Sequence, residues 1–476
     1  MKNNILCFLF ILFSLNSTSA QTPKELIDLS IDKQGDWRSV LSFSFRTSRS
    51  NADRWQGYDY NQLVFQKDTY QLKYDIPSGN FENHTVNHYP GGYVFDTYRT
   101  GLDSVYWVYD GLRSRTGNDL INLGKSLYDR KSADFLLSFP YYILKEAGHN
   151  NNLSLDSTAL FFVLRSSDRE YWLNKSNLLL EKYITIRNGV KNVQTFKNYI
   201  KTQDVQIPRI SSFLINEEVV FLDTLKDFKF NRGRDALTIK LPENYVKTTE
   251  YDGPPILKKL SANTYIIEKI DSDRNIIFRD MGNYIVVTEA PVSRETVKKI
   301  IEQISLLFPN KPIRYVHLSH FHKDHIAGIA EFIANGTSVI CTPETSGPVI
   351  DWFRQSYTGD IKKHVPKIVY IREKLQIGTG DNCIRFYAIN NSHAKGMSFA
   401  YLPKEQMIYQ GDLLSLPDDQ TLTAPIEINE QFFRKINTLK LKFKLIVGHH
   451  GLPYITAAMI KQMKNMRSPG HIYRAK

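Results

Sequence analysis

The sequence predicts a mainly antiparallel β domain followed by an α/β domain, and three observations predict this order. Before residue 242, apolar residues alternate in short runs such as LSFSF at residues 41–45, which places alternate side chains on one face of a strand. After residue 257, strand-like and helix-like apolar patterns follow one another, as is typical of α/β folds. Between these two regions, residues 243–257 are polar and contain a Gly-Pro-Pro turn.

Length and the first residues set the domain organisation. A chain of 476 residues with 42% apolar residues favours more than one core. Residues 1–20 contain Lys2, an apolar run and a small-residue end before Gln21, which is typical of a cleaved secretory signal. The apolar run is shorter than the roughly 20 residues of a membrane-spanning helix. We therefore expect an exported chain, periplasmic or extracellular, with no transmembrane segment after cleavage. The predicted parts are a signal peptide at 1–20, a β-rich accessory domain at 21–245, a linker at 246–256 and a catalytic domain at 257–476.

Cysteine and charge content exclude some classes of protein. Beyond the signal, only Cys341 and Cys383 remain, and both lie in apolar strand-like runs. We expect buried thiols and no disulfide framework. The net charge of +12 is spread along the chain without a long basic block, which favours a solvated basic surface. No nucleic-acid partner is expected.

The β-rich part contains one predicted hairpin and one predicted helix. Residues 170–185 (EYWLNKSNLLLEKYIT) predict two strands joined by a polar turn at residues 174–177. A helix is expected from Ser132, as its cap, to Gly148, as its stop, with a kink at Pro140.

The α/β part begins with three strands and continues as helix, strand, loop and helix. A helix is expected from Ser293, because Val297, Ile300, Ile304 and other apolar residues recur at helical spacing. Ligands in α/β folds collect at loops beyond strand ends. The predicted strands and the later helix span residues 264–270, 275–279, 284–289, 313–318 and 326–334.

A cluster of metal-ligand side chains follows the predicted strand at residues 313–318. Nine of the twelve histidines lie after the linker, and His320, His322, Asp324 and His325 fall within six residues. In an extended segment, residues two apart point the same way, so His320 and His322 can bind one ion while the next two face a second. Imidazole and carboxylate ligands favour zinc, with iron or manganese as alternatives. Two adjacent ions are thereby predicted.

The run SHFHKDH resembles the HxHxDH signature of the metallo-β-lactamase superfamily, and Gly328, a helix and the strand SVICT follow it as in that family. Later ligand candidates are His393 in NNSHAKGM, Asp412 in MIYQGDLL, and His449 or His450 in KLIVGHHG. The resemblance covers about 220 residues. It implies an α/β domain built as an αββα sandwich.

The resemblance also implies a ligand set and roles. His320, His322 and His393 would hold the first metal; Asp324, His325 and the last histidine would hold the second; Asp412 would bridge them. His450, directly before Gly451, is favoured over His449 as that last ligand. Asp324 and Asp412 would act in catalysis by fixing the metals and orienting the nucleophile. His317 is expected to be structural, and His364 and His471 have no supporting context.

Three positions depart from the usual pattern of the family. Glu289-Ala-Pro291 stands where an Asp before a Gly is common, which leaves open which residue orients the ligands. Ala394-Lys-Gly396 replaces a common Thr-Pro-Gly and weakens inference about the substrate. Asp412 stands where one β-lactamase group has Cys, which favours the lactonase, thioesterase and general hydrolase branches.

The N-terminal part, with its run YWLNKSNLLLEKY, resembles periplasmic lipoprotein-carrier domains. In those domains a half-open antiparallel sheet surrounds an apolar ligand and a helix, so an apolar ligand is expected there. The alternative is a β-rich accessory domain that packs on the enzyme or forms a dimer.

The functional expectation is an exported binuclear metallo-hydrolase acting on a small-molecule substrate. In this expectation a metal-bridged hydroxide attacks an ester, lactone, thioester or amide carbonyl, and the cofactors are two Zn²⁺ ions. One alternative is a ligand-binding or lipid-binding protein with a non-catalytic metal domain, and another is an iron-dependent oxidoreductase of the same fold. The fold does not select the substrate.

Overall fold

The structure is a computed structural model that describes residues 21–63, 65–233, 237–359 and 364–466. The predicted signal peptide at residues 1–20 and His471 lie outside the described residues. Across the described ranges, none of the helices has the length and apolar character needed to cross a membrane.

Strands dominate the described part of the chain. They are β1 (Ser42–Ala52), β2 (Phe65–Asp75), β3 (Phe81–Tyr89), β4 (Tyr93–Leu102), β5 (Val105–Asp110), β6 (Asp119–Asn122), β7 (Ser154–Ser157), β8 (Phe161–Arg165), β9 (Arg169–Asn174), β10 (Leu180–Arg187), β11 (Val190–Thr202), β12 (Val205–Ile215), β13 (Glu218–Asn231), β14 (Val246–Thr249), β15 (Ile256–Lys259), β16 (Thr264–Ile270), β17 (Arg274–Asp280), β18 (Ile285–Thr288), β19 (Ile313–His317), β20 (Ser338–Cys341), β21 (Ile368–Tyr370), β22 (Lys374–Thr379), β23 (Asn382–Ile389), β24 (Met397–Leu402), β25 (Met407–Gln410), β26 (Leu445–Gly448) and β27 (Tyr454–Thr456).

Helices are fewer and lie mainly in the second half of the chain. They are α1 (Pro23–Lys33), α2 (Gly124–Leu136), α3 (Pro140–Ala147), α4 (Arg294–Leu307), α5 (Lys323–Ile326), α6 (Ile329–Ala334), α7 (Pro343–Ser356), α8 (Glu427–Thr438) and α9 (Ala457–Asn465), together with a short 3-10 helix at Trp37–Ser39.

The described residues form two compact units. The first comprises those of Met1–Ser39 and Phe135–Glu218, and the second those of Val40–Asp134 and Val219–Lys476. Mixed α/β content with large sheets is as the sequence predicts. The domain boundaries at residues 245 and 257 stay a prediction.

The first unit is an antiparallel sheet with two helices. Its strands follow the order β12-β11-β10-β9-β8-β7. A reciprocal capping box between Thr22 and Glu25 begins α1, because each side chain satisfies a backbone N–H that the first helical turn leaves free. The pairing of β9 with β10 around the turn at residues 174–179 agrees with the predicted hairpin.

The single kinked helix predicted from Ser132 to Gly148 is wrong. The chain instead forms α2, which ends at Leu136, and α3, which begins at Pro140. Proline lacks a backbone N–H and has a fixed φ, so it fits the first position of a helix better than its interior. The predicted stop at Gly148 agrees with the C-cap of α3.

The second unit begins with strands that are neighbours in the order β14-β6-β5-β4-β3-β2-β1-β13. Neighbouring strands are antiparallel except β14 and β6, which run parallel. The strand predicted at residues 41–45 forms part of β1, which pairs with β2 on one side and with β13 on the other.

The rest of the second unit is four layers deep. One sheet contains β15 to β21 and the other β22 to β27, and a buried cluster that includes Ile266, Phe386 and Tyr409 fills the space between them. On the outer face of the first sheet lie α4, α6 and α7, and on that of the second lie α8 and α9. The strands and helices predicted between residues 264 and 334 agree with β16 to β19 and α4 to α6, except that the last helix is divided at Gly328.

The close approach of Gly328 to α4 explains why α5 and α6 are separate helices. A Cβ at this position would lie 2.2 Å from Val297 Cγ2 and 2.5 Å from Ser293 O, both at the start of α4. The chain therefore passes closely over α4 just after the HxHxDH run. Cys341 and Cys383 are both buried free thiols, as the sequence predicts.

Candidate metal centre

The predicted ligands lie in loops that follow strand ends. His320, His322 and the start of α5 follow β19, Asp412 follows β25, and His449 and His450 follow β26. His393 lies in the connection between β23 and β24. Because these strands end at the same edge of the two packed sheets, residues from distant parts of the sequence meet there.

The structure brings all seven predicted ligands together in two overlapping groups. Within each group the ligand atoms lie within 4.8 Å of one another. Asp412 belongs to both groups. One group is His320, His322, His393 and Asp412, and the other is Asp324, His325, Asp412 and His450.

The two oxygens of Asp412 face different groups. Its Oδ2 lies 3.2 Å from His393 Nε2 and 3.7 Å from His320 Nε2. Its Oδ1 lies 3.0 Å from His325 Nε2 and 3.5 Å from His450 Nε2. This arrangement suits a carboxylate that bridges two cations.

His450 lies close to the carboxylates of Asp324 and Asp412, whereas one ring nitrogen of His449 contacts Asn275 and Tyr409. His450 Nε2 lies 3.2 Å from Asp324 Oδ2 and 3.5 Å from Asp412 Oδ1. The Nδ1 of His449 lies 2.8 Å from the carbonyl of Asn275 and 3.1 Å from the hydroxyl of Tyr409. A further group of His325, His449 and His450 also lies within ligand distance, so the preference for His450 over His449 as the last ligand stays a prediction.

Each ligand histidine has its outward ring nitrogen close to another polar group. A carbonyl only accepts, so His322 and His393 must donate from that nitrogen, which fixes the tautomer and leaves the other nitrogen to bind a cation. The outward contacts are His320 Nδ1 to Ser319 Oγ at 2.9 Å, His322 Nε2 to Gly57 O at 3.0 Å, His325 Nδ1 to Glu289 Oε1 at 3.5 Å, His393 Nδ1 to Pro90 O at 2.9 Å and His450 Nδ1 to Asp273 Oδ2 at 3.4 Å.

The inward nitrogens fit a metal. Among the described residues, His320 Nε2 and His322 Nδ1 are buried and have no hydrogen-bond partner. A buried polar atom left unsatisfied costs about 1–3 kcal/mol. Both nitrogens belong to the group that also contains the Asp412 carboxylate. A divalent cation bound within this group would satisfy them, so the residues present fit a metal site.

Electrostatics at the centre also favour cations. Burial would lower the pKa of His450, but Asp412, Asp273 and Asp324 raise it to about 9. Burial would raise the pKa of Asp412, but the neighbouring His325 and His450 hold it well below its ordinary value. Burial lowers the pKa of His322 to about 3, which keeps this imidazole neutral, as metal binding requires.

Glu289 takes the place of the orienting residue that the sequence left open. Its side chain is fully buried, and its carboxylate accepts from Ser319 N at 3.2 Å besides lying beside His325 Nδ1. Its backbone has φ of +58°, a conformation that costs a non-glycine residue about 1–2 kcal/mol. Strain of this kind is often found at functional sites.

Sequence reasoning missed the contribution of the N-terminal strands. Gln56 Nε2 donates to Asp324 Oδ1 at 2.9 Å, and Tyr93 OH donates to the Asp412 carbonyl at 2.7 Å. With the carbonyls of Gly57 and Pro90, these residues place the β1–β2 connection and the β3–β4 hairpin against the ligands. The run Pro-Gly-Gly at residues 90–92 is a sequence signal that could have indicated this close contact. Glycine suits position 91 because a Cβ there would lie 3.0 Å from His393 Cβ.

The remaining histidines are outside the ligand groups of the described residues. His317 is buried, and its Nε2 lies 2.9 Å from Ser398 Oγ, in keeping with a structural role. Burial lowers its pKa to about 3. His364 packs against the ring of Tyr357, with the ring centres 5.4 Å apart.

No family model matches the chain. Solved structures to which it is similar include a metallo-β-lactamase from Pontibacter korlensis, at 14% identity and a TM-score of 0.35, covering 45% of this chain and 100% of the other. A metallo-β-lactamase from Pseudomonas aeruginosa in its mono-zinc form has 15% identity, a TM-score of 0.34 and coverage of 44% and 95%. One from Erythrobacter litoralis has 13% identity, a TM-score of 0.33 and coverage of 44% and 93%.

Proposed function

We propose that this protein is an exported binuclear metal-dependent hydrolase that cleaves an ester, lactone, thioester or amide bond of a small molecule. The observation that carries the proposal is the position of Asp412, whose two oxygens face two separate sets of histidine nitrogens. A binding site for one structural metal would need a single closed set of ligands. A shared carboxylate between two sets is instead suited to two neighbouring cations.

Zinc is the metal we propose, with His320, His322 and His393 holding one ion and Asp324, His325 and His450 the other. The absence of a thiolate among these ligands leaves iron and manganese as alternatives. When bound, divalent cations lower the pKa of a coordinated water and polarise a substrate carbonyl.

The chain's own residues fix and shield this chemistry. The carbonyls of Gly57 and Pro90 hold two imidazoles in one tautomer. Gln56 holds one oxygen of Asp324, which leaves the other directed at His450. The full burial of His320 and His325 keeps bulk water from that side.

Export, and an apolar ligand for the N-terminal β-rich part, are further parts of the proposal. Export rests on the signal-like residues 1–20. Apolar side chains exposed in the first unit, such as Leu160 at 67% and Ile186 at 45%, would suit an apolar ligand. A nucleic-acid partner has no part in the proposal.

Metal analysis of the purified mature protein, coupled to hydrolysis of a lactone, a thioester and a chromogenic β-lactam, tests the proposal. We expect about two zinc ions per chain and turnover of at least one substrate that a chelator abolishes. Asp324→Ala should lose metal and turnover together. Asp28→Ala serves as the matched control, because Asp28 is an exposed carboxylate of α1 with 56% of its side chain accessible.

Other outcomes identify the alternatives. A protein that contains iron and hydrolyses none of the substrates would favour the oxidoreductase alternative. A protein that takes up no metal would be a ligand-binding protein with a non-catalytic domain. Full zinc and full turnover in Asp324→Ala would show that the ligand assignment is wrong.

A further inference from the structure

The metal centre is open on one side. Side-chain exposure is 24% for Asp324, 18% for His450 and 15% for Asp412, whereas His320 and His325 are fully buried. Among the ligand candidates of the described residues, Asp324 and His450 are the most exposed, so a substrate can approach where they meet solvent. The groups around this opening determine which substrates fit.

Arg115 lies beside the β3–β4 hairpin, which contacts the metal-ligand candidates. It belongs to the connection between β5 and β6, at residues 111–118, and is exposed. Its guanidinium lies over the ring of Phe95, whose centre is 4.8 Å from that of Tyr89 at the end of β3. The same hairpin carries Pro90, whose carbonyl lies 2.9 Å from His393 Nδ1, so Arg115 lies beside an element that contacts the metal-ligand candidates.

Aromatic rings connect Arg115 to the metal ligands. The guanidinium carbon of Arg115 lies 4.2 Å from the centre of the Phe95 ring. The ring of Phe95 lies 6.1 Å from that of Tyr93, which meets the ring of His393 edge-on at 5.4 Å. A run of aromatic side chains therefore connects the exposed cation of Arg115 with a ligand of the proposed first metal.

The backbone that carries Arg115 is fixed at both ends. Asp110 is 2% exposed, and its carboxylate accepts from Ser114 Oγ at 3.0 Å and from Arg115 N at 2.7 Å. At the other end, Asn118 N donates to Asp419 Oδ2 at 2.8 Å, a few residues after Asp412. The position of Arg115 is thus held before any ligand binds, which lowers the entropy cost of binding.

Arg115 has no acidic partner in the part of the chain that the structure describes. By contrast, Arg274 is neutralised, because its guanidinium lies 3.0 Å from the carboxylate of Asp273. A guanidinium stacked over a ring keeps its N–H edge free, and that edge binds a planar carboxylate with two parallel hydrogen bonds.

We propose that Arg115 binds a carboxylate of the substrate, whose apolar or aromatic part lies on Phe95 and Tyr93 while the bond to be cleaved reaches the metal centre. This inference rests on the proposed hydrolase function and names its substrate class as anionic acyl compounds. Arg115 would determine specificity, because it contacts a part of the substrate away from the reacting carbonyl.

Calorimetric binding of 4-phenylbutanoate and 4-phenylbutanamide to the metal-loaded protein tests this inference. The two probes have the same ring and chain and differ in charge. We expect Arg115→Gln to weaken binding of the carboxylate about tenfold and to leave the amide within about twofold. Arg115→Lys should restore part of the loss, since it keeps the charge but not the paired hydrogen bonds.

Arg113→Gln is the matched control. Arg113 lies in the same connection, but its guanidinium is over the ring of Tyr245 at 4.8 Å and donates to Asn244 O. This variant should bind both probes as the unchanged protein does. Equal binding of the carboxylate by Arg115→Gln and the unchanged protein would overturn the inference, as would an unchanged protein that does not prefer the carboxylate.

A matched pair of substrates adds a kinetic test. The monoester of glutarate with 4-nitrophenol ends in a carboxylate, and 4-nitrophenyl pentanoate does not. For Arg115→Gln we expect kcat/KM to fall about tenfold on the first ester, mainly through KM, and to stay within about twofold on the second. If the protein binds metal and hydrolyses both esters but Arg115→Gln changes neither, the inference fails while the hydrolase stands. If metal and turnover are absent, the hydrolase fails whatever the binding data show.

Discussion

Asp412 contacts histidines of both ligand groups, so its two oxygens have separate tasks. Oδ2 faces His393 and His320, and Oδ1 faces His325 and His450. Among the described ligand candidates, Asp412 is the side chain shared by these two groups, so its loss should affect both proposed metals. Replacement by an amide separates charge and bridging from volume, because asparagine has nearly the same shape but offers only one acceptor.

We predict that Asp412→Asn lowers zinc content from two ions to one or fewer per chain and reduces turnover by at least about a hundredfold. The cause is the loss of a negative charge and of one ligand oxygen between the two groups. Metal analysis and kcat on the best substrate measure both effects, and circular dichroism controls for folding. A variant with two zinc ions and unchanged kcat would show that Asp412 is not a bridging ligand.

At the level of elements, the β3–β4 hairpin brings its tip against His393. Pro90 O accepts from His393 Nδ1, and Gly91 O accepts from Ile428 N at the start of α8. Gly91 has φ of +90°, which favours glycine, and its Cα faces the ligand closely. Backbone conformation and close approach both require glycine at this position.

Gly91→Ala should destabilise the protein by about 1–2 kcal/mol through backbone strain and should also weaken zinc binding. Its control is Gly189→Ala, since Gly189 has φ of +76° but a Cβ at this position would meet no atom within 4 Å. Urea unfolding should show a similar loss of stability in both variants, and zinc titration should show weaker binding in the first alone. Equal zinc affinity in both variants would contradict a role of the hairpin tip in orienting His393.

Strands β2 and β3 share a buried charge that should make stability depend on pH. Asp68 is 1% exposed in its side chain and accepts from Asn87 Nδ2 at 2.9 Å and His88 N at 2.8 Å. Burial would raise the pKa of Asp68, but its hydrogen bonds from His88, Asn87 and Asn51 lower it below its ordinary 3.8. The hydrogen bond from His88 to Asp68 outweighs burial and raises the pKa of His88 above its ordinary 6.5.

The signs of these shifts define the expected pH profile. The contribution of Asp68 is complete above pH 3.8 and is lost as pH falls through its lowered pKa, whereas that of His88 is complete below pH 6.5 and is lost as pH rises through its raised pKa. The Tm difference between the unchanged protein and Asp68→Asn should therefore be largest between these two values. His88→Gln should remove the fall in stability on the alkaline side of the profile. We expect this fall to be less than about 1 kcal/mol, because the side chain of His88 is 46% exposed. A difference that does not vary with pH would contradict this pairing.

At the scale of the molecule, sequence patterns identify elements better than contacts between them. The strand at residues 264–270 and the helix after Ser293 could be predicted because burial on one face imposes a period on the sequence. The grouping of the seven His and Asp side chains could be predicted because metal chemistry restricts residue type and spacing, whereas their role as ligands stays a prediction. The contact of Gly57 with His322 could not be predicted, since a backbone carbonyl leaves no mark on residue type and the two positions are 265 apart.

Metal removal should lower the stability of the second unit as a whole. A ligand that binds only the folded state at a thousand times its Kd stabilises that state by about 4 kcal/mol. We expect a chelator to lower the Tm of the unchanged protein by several degrees, and zinc to restore it. In Asp412→Asn the chelator should have a smaller effect. An unchanged Tm after complete zinc removal would contradict metal binding by the folded ligand set.

The carbonyls that hold His322 and His393 come 265 and 303 positions earlier in the chain than the imidazoles they orient. During synthesis these carbonyls emerge long before the histidines, and His450 emerges later still. The centre can close only when both ends of the second unit have folded onto each other, and contacts so distant in sequence form slowly. If the proposed metal sites are correct, we expect metal uptake to be a late event in maturation. The rate of zinc incorporation during refolding should then report how fast the two ends of the second unit come together.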